Sequence, residues 1–464
     1  MGKVLLRVVG GLVGLLLVAV MILLASRLWP LSAAQKRALA ALEAPRDLPG
    51  TNAYATLATL AMEGTPAQRQ ARVDAYVADY ARWHAGFRAR MIESGGEGGA
   101  DAMQAMPQLA GVAEAALPHD PALCRNGTGC LAKVRAQPQV VAAALLPQAT
   151  VLARMDELAA HGHYLSPLPL DAATPVPALQ PLFVPLSAHA LAHVQGDSAR
   201  ALAGLCRDAG IGRMLLDHGE NLLTGMVGGA MLAANAELFA DVLAELPVDT
   251  PLPATCATAL APLSPRQASN CASLQGEFAM IRDGYMLTGE MTRTGLDLAG
   301  EEWWATPATA KFFYNRDKSV ARSAETLGHA CLPDTLQAIA EDLPMPAMPV
   351  PSVWRLECAA NAVGCILSNI AGPAYSRYGQ RQQDVAAQLR LLQAVVWLRQ
   401  HATTDAAMPL AERLHELPAG LRSRHRPISV AADGSALETA SYARHKGVDT
   451  VRVSLPQALR PESQ

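Results

Sequence analysis

The chain of 464 residues is poor in charged and aromatic side chains, at 17% and 5% of its residues. Its formal net charge of −3 leaves no basic excess, which argues against a general nucleic-acid binder. Only six of its 38 basic residues are lysine, and a GC-rich bacterial genome explains that bias most simply. Much of the 51% apolar fraction is alanine, which favours closely packed helices over aromatic-rich sheets.

Familiar catalytic motifs are also missing. No G-x-S-x-G nucleophile motif, P-loop or G-x-G-x-x-G fingerprint occurs. Gly225, Gly228 and Gly229 lie inside a predicted helix and do not follow a strand, so close helix–helix contact explains them better. Whether the protein is an enzyme stays open at this level, and any cofactor is unknown.

A run of 19 uncharged residues extends from Val8 to Ser26, between Arg7 and Arg27. As a helix rising about 1.5 Å per residue, it could cross a hydrocarbon core of roughly 30 Å. A cleaved signal peptide has a shorter apolar region, of about 7 to 15 residues, and a small-residue cleavage site. Here Arg-Leu-Trp-Pro follows instead, and Trp29 suits a membrane interface. We therefore predict a retained membrane anchor, with a cleaved signal as the alternative.

The charges around this segment leave its orientation open. Lys3 and Arg7 precede it, and Arg27, Lys36, Arg37 and Arg46 follow it. The positive-inside rule would then keep the body in the cytoplasm, although long domains translocate largely regardless of charge. Eight cysteines follow the segment, and an even count behind an export-like segment is typical of an oxidising compartment. We give the cysteines more weight than the charges.

Two cysteine pairs are close enough in sequence to be bridged. Their C-x5-C and C-x6-C spacings differ from those of zinc sites, so disulfides are the better interpretation. The disulfide candidates are Cys124 with Cys130 and Cys358 with Cys365, and further Cys256 and Cys271. Cys206 on its predicted helix is expected to be a buried free thiol.

Apolar residues recur at the helical period along most of the chain. The clearest amphipathic helix is predicted over 66–92, and another over 380–400. Between them the pattern predicts helices over 186–194, from Ser198 to Ala209, and over 213–246. The junction of the first two (Ala190, His193, Gly196, Asp197, Ala201, Leu202) resembles that of a tetratricopeptide repeat, but it occurs once and indicates only an α-hairpin.

We predict a mainly α protein: an N-terminal transmembrane helix, a multi-helix α-hairpin body, either solenoid-like or an irregular bundle, and a small β element. The β element is predicted from 428–430 and 448–455 around Asp433-Gly434. The predicted divisions are the anchor (1–30), a first helical subdomain (31–165), the main helical domain (182–426) and the β tail (427–464).

His189 and His193 lie four residues apart on one predicted helix, so both rings could face a metal ion. Ala190 follows the first histidine, and the general-base glutamate of an HExxH metalloprotease is therefore missing. Capping or core-edge histidines near helix ends are the favoured interpretation.

A second candidate binding site is a basic aromatic cluster after Gly372-Pro373. It consists of Tyr375, Arg377, Tyr378 and Arg381. It could contact a sugar, a phosphate or a partner protein. The plainer interpretation, which we favour, is the entry to a helix with solvated arginines.

These observations predict a bacterial inner-membrane protein with a single pass through Val8 to Ser26 and a large periplasmic domain. We expect it to bind or scaffold a protein partner in the cell envelope, and to bind no nucleic acid. The alternative is an envelope metal-dependent hydrolase with histidine and carboxylate ligands between residues 157 and 220. A cytoplasmic scaffold tethered to the membrane is the third hypothesis.

Overall fold

The computed structural model describes residues 2–94, 99–112, 120–171, 173–294, 313–402, 408–445 and 448–460. Within these ranges the chain is mainly α-helical, with one three-stranded antiparallel sheet near the C-terminus. The predicted fold class is confirmed.

The helices are numbered in chain order over the described residues. Up to residue 218 they are α1 (Gly2–Leu28), α2 (Ala33–Leu42), α3 (Tyr54–Ala58), α4 (Pro66–Ser94), α5 (Gly99–Gln104), α6 (Cys130–Ala136), α7 (Pro138–Leu145), α8 (Ala149–Ala159), α9 (Val184–Val194) and α10 (Ser198–His218). Beyond it they are α11 (Leu222–Ala244), α12 (Thr255–Ala259), α13 (Pro265–Ala268), α14 (Cys271–Thr294), α15 (Arg316–Leu327), α16 (Pro333–Ala340), α17 (Ala362–Gln400) and α18 (Leu410–Arg413).

Two helices of the described chain are long and apolar enough to cross a membrane, α1 and α11. No part of the apolar window of α1 is buried, whereas 67% of that of α11 lies inside the body. At about 1.5 Å per residue, the 27 residues of α1 exceed the thickness of a hydrocarbon core. Helix α11 is therefore a core helix, and α1 is the candidate membrane span.

Helices α9, α10 and α11 form the centre of the body, and their ends correct the sequence prediction. Asp197, and not Ser198, caps α10, since its side chain accepts a hydrogen bond from the Arg200 amide. Helix α10 then continues to His218 instead of ending at Ala209. The break falls before α11 because the Asn221 side chain accepts from the Thr224 amide and the Thr224 hydroxyl accepts from the Asn221 amide.

The helices α10 and α11 approach each other most closely at two glycines. A Cβ on Gly228 would lie 2.6 Å from the Gly212 carbonyl oxygen, and one on Gly212 would lie 2.8 Å from the Gly228 carbonyl oxygen. Neither helix can carry a larger side chain there without moving apart. The structure thus shows the close helix contact that the sequence predicted for Gly228.

Helix α17 is 39 residues long and begins 18 residues before the predicted start at 380. Pro373 therefore lies within the helix, although proline removes one backbone hydrogen bond. Packing holds the turns on both sides: Ser368 accepts from Arg322 of α15, and the Tyr375 hydroxyl donates to Glu277 of α14. The expectation of a helix entry after Gly372-Pro373 is wrong for this reason.

The C-terminal sheet has the order β1 (Ser429–Val430), β2 (Ala436–His445) and β3 (Val448–Ser454), all antiparallel. The outer strands were predicted and the middle one was not. The carboxylate of Asp384 on α17 accepts hydrogen bonds from the Tyr442 and Ala443 amides, which fixes β2 against the body.

Three buried apolar clusters hold the described helices together. The first joins residues 123–145 to α9–α11, α17 and the sheet, and the third joins α2 to α14, α15 and α17. Residues from both predicted helical divisions thus share cores, and the predicted division stays a prediction.

Candidate functional site

All eight cysteines are paired in disulfides, and none is free. The pairs predicted from the short loops, Cys124–Cys130 and Cys358–Cys365, have sulfur–sulfur distances of 2.05 and 2.08 Å. The other two bonds are Cys206–Cys256 and Cys271–Cys331. Four disulfides and an exposed apolar N-terminal helix fit a single-pass membrane protein with its body on an oxidising side.

The expectation of a free Cys206 is wrong. Cys206 on α10 pairs with Cys256 on α12, 50 residues further along, because these helices pack against each other. Cys256 and Cys271, the two further candidates, each pair with a distant cysteine. Cys206, which the sequence presents as an isolated core residue, therefore belongs to a disulfide between distant parts of the chain.

His189 and His193 contact different carboxylates. The Nε2 atom of His189 lies 2.7 Å from Asp208 Oδ2, and that of His193 lies 3.0 Å from Glu245 Oε2. The second ring nitrogen of His193 contacts the Ser198 hydroxyl. Over the described ranges no group of three His, Cys, Asp or Glu side chains is placed to hold a metal ion. These contacts match the core-edge interpretation, and the metal site at His189 and His193 stays a prediction.

The basic aromatic cluster lies along the middle of α17, and its role as a binding site stays a prediction. Tyr375 is half-buried, and its hydroxyl donates to Glu277 on α14 at 2.9 Å. The guanidinium of Arg381 lies over the Tyr378 ring at 5.7 Å, and Arg377 is exposed. The tyrosines serve helix packing here, and the arginines face solvent.

A cavity of about 580 Å³ opens between α3, α4, α8 and the segments 106–112 and 175–184. Its volume is typical of small-molecule sites. Six of its apolar lining residues are Leu57, Met62, Leu109, Val151, Val176 and Val184. Binding of an apolar ligand against such walls is favourable, because it removes apolar surface from water.

Among the buried polar groups that line this cavity are Gln148 and Tyr76, which are 5% and 8% exposed. Among the described residues neither side chain has a hydrogen-bond partner. Burial raises the pKa of the Tyr76 hydroxyl, which therefore stays protonated and able to donate. Both side chains line the cavity, so each can offer a hydrogen bond to a ligand bound there.

A second cleft, of about 740 Å³, lies between α16, α17 and residues 420–426. Two of its four arginines, Arg390 and Arg426, form ion pairs within the protein. Asp342 accepts from both Arg390 and Arg426, and Arg426 also contacts Asp384 at 3.0 Å. These ion pairs join the segment before the sheet to α17, which makes this cleft a structural junction.

Glu220, between α10 and α11, is 3% exposed, and its carboxylate accepts a hydrogen bond from the Ser166 amide at 2.9 Å. Desolvation raises its pKa to about 7, against the smaller opposing effect of Arg46. The folded state therefore holds this proton more tightly than the unfolded chain does. Its stabilising effect is complete below about pH 4, the unfolded pKa, and disappears as the pH rises through 7.

We expect the unfolding free energy of the wild type, relative to that of Glu220→Gln, to fall by on the order of 2 kcal/mol from pH 5 to pH 8. Urea unfolding of the full chain in detergent at both pH values measures this difference. Burial also raises the pKa of Asp217. Because Asp217 is present in both proteins, its contribution to the pH dependence cancels in the difference between their unfolding free energies. Parallel pH profiles would show that Glu220 titrates normally.

Fold and site together define the class: a mainly helical, four-disulfide protein with an exposed apolar N-terminal helix and a lined cavity in its body. Comparison with protein-family models, curated proteins and solved structures finds no match for this chain. Its function is therefore argued from its own residues.

The sequence predicted no cavity, because its walls come from five segments spread over more than a hundred residues. The one available signal was a proline-rich segment with Pro175, Pro177 and Pro181, here called the proline-rich connector. Proline keeps this segment extended, so it lies across the helices as one wall of the cavity.

Proposed function

We propose that this chain is a membrane-anchored binding protein of the bacterial envelope, with its body in the periplasm. The cavity between α3, α4 and α8 is its ligand site. The observation that carries the proposal is an apolar cavity of about 580 Å³ whose lining includes Gln148 and Tyr76, two polar side chains without a hydrogen-bond partner among the described residues.

The lining indicates the ligand chemistry. Apolar walls favour a hydrocarbon or aromatic body, and the Gln148 amide and the Tyr76 phenol favour uncharged hydrogen-bonding groups, such as a carbonyl or a hydroxyl. Gln148 and Tyr76 supply no counter-charge, and Asp120, the charged residue among the described lining, would repel an anion. We therefore propose an uncharged, mainly apolar small molecule.

Three features support the proposed location. Helix α1 is long enough to remain as an anchor, four disulfides are typical of an oxidising compartment, and the arginine-rich composition suits a bacterial genome. An inner-membrane anchor with a periplasmic body combines all three.

Binding is tested with N-phenyl-1-naphthylamine, an uncharged apolar fluorophore, added to the full chain in lipid nanodiscs. We expect saturable fluorescence above that of empty nanodiscs. Ala58 lines the cavity, and Ala58→Trp should weaken binding at least tenfold because the indole fills the space. The matched control is Ala159→Trp at an exposed position of α8, which should bind like the wild type.

Equal unfolding midpoints of the two tryptophan variants show that the larger side chain fits the cavity. Binding that is not saturable, or that survives Ala58→Trp unchanged, would overturn the ligand site. A stoichiometric metal in the purified chain that is lost in His189→Ala would instead support the alternative hydrolase.

A further inference from the structure

Seven large apolar side chains are exposed within 21 residues around the start of α17. We call them the apolar platform; they are Val350, Val353, Trp354, Leu356, Ile366, Leu367 and Ile370. Trp354 is 92% exposed and Ile370 71% exposed. Soluble surfaces rarely concentrate apolar side chains in this way without a function.

One ion pair of this region is buried, while Arg355, between Trp354 and Leu356, is 39% exposed. Arg322 is fully buried and contacts Glu357, which is 8% exposed, at 3.2 Å. No charged residue occurs between Glu357 and Arg377. The outer face of the platform therefore presents apolar side chains above a buried ion pair.

The platform is held rigidly. The Arg322 guanidinium donates to the carbonyl oxygens of Pro351 and Ser352 in the loop, and to Ser368 and Asn369 on α17. The Cys358–Cys365 disulfide joins the same loop to the same helix. Its apolar side chains are thus presented on a fixed surface, with little ordering left to occur on contact.

The platform lies at the base of the candidate membrane helix. The Ser26 hydroxyl, near the end of α1, accepts a hydrogen bond from the Ala360 amide at 2.9 Å. Lys318 donates to the carbonyl oxygens of Ser26 and Trp29, where a cation meets the negative end of the helix dipole. These contacts fix the platform beside the point at which α1 leaves the body.

We propose that the apolar platform rests in the lipid interface beside α1 and is a second membrane contact of the body. This inference rests on the proposed membrane anchoring. An exposed tryptophan beside a helix exit matches the interfacial preference of indole, and burial in lipid removes the cost of apolar surface in water. The occupant is the bilayer because the platform continues the surface of the membrane helix.

The test uses the full chain in vesicles that contain phospholipid brominated near the headgroup end of the acyl chains. Bromine quenches tryptophan at contact, and the difference between wild type and Trp354→Phe gives the emission of Trp354 alone. We expect at least half of that emission to be quenched. The matched control is Trp397→Phe, since Trp397 lies 35 residues along α17, roughly 50 Å from its start, and should not be quenched.

Vesicle flotation separates this inference from the anchoring on which it rests. A chain that fails to float with the vesicles would overturn the anchoring. A chain that floats while Trp354 emits as in water would overturn the platform alone. Blue-shifted emission of Trp354 without bromine quenching would also overturn it, because a protein surface would then be the occupant.

Discussion

Replacing Cys206 and Cys256 together with alanine should lower the unfolding free energy by about 4 kcal/mol. The bond closes a loop of 50 residues, and in the chain-entropy account a loop of that length restricts the unfolded chain by roughly this amount. Urea unfolding of the full chain in detergent, followed by circular dichroism, measures the loss.

The Cys124/Cys130 double alanine variant is the matched control. All four of these cysteines are at most 6% exposed, so the packing lost with the sulfurs is similar in the two variants. The loop of the control spans only 6 residues, and its expected loss is about 2 kcal/mol. A control that loses as much stability as the Cys206/Cys256 variant would show that loop closure is not the cause.

Arg322→Met should destabilise the body by about 3 to 5 kcal/mol, the range found when one partner of a buried ion pair is removed. Methionine fills part of the volume but leaves Glu357 buried and without its closest cation. It also leaves the Pro351 and Ser352 carbonyl oxygens without their donor. Thermal unfolding of the full chain in detergent gives the comparison with wild type.

Arg355→Met is the control for this charge pair. Arg355 lies 3.8 Å from the same Glu357 carboxylate, but its closer partner is Glu325, at 2.6 Å. Because Arg355 is 39% exposed, its loss should cost about 1 kcal/mol, less than the loss of the fully buried Arg322. Adding Glu357→Gln to Arg322→Met should restore part of the stability, because the unpaired charge is removed. If Arg322→Met proves no less stable than Arg355→Met, the buried pair is not what holds the platform.

Local patterns predicted much of this fold. The apolar period predicted α4 and the central helices, and the two short loops with cysteines at their ends predicted two disulfides. These features depend on neighbours in sequence, which a single chain displays directly. The end of α10 at His218 was missed. The apolar pattern runs on from α10 into α11, and the cap at Asn221, which separates the two helices, does not interrupt it.

Long-range features could not be predicted. Eight cysteines allow 105 complete pairings, and only the packing of α10 with α12 brings Cys206 to Cys256. The cavity needs walls from α3, α4, α8 and the proline-rich connector at once. The burial of Glu357 in the loop after Trp354 likewise depends on Arg322, which comes from another helix.

The central claim, that the body lies on the oxidising side of the membrane that α1 anchors, is tested most directly by thiol trapping. Cells are quenched in acid, and the denatured full chain is treated with a maleimide of high mass before and after reduction. The account predicts no labelled cysteine before reduction, eight after it, and a chain that stays in the membrane pellet at alkaline pH. Eight labelled cysteines without any reduction would contradict it.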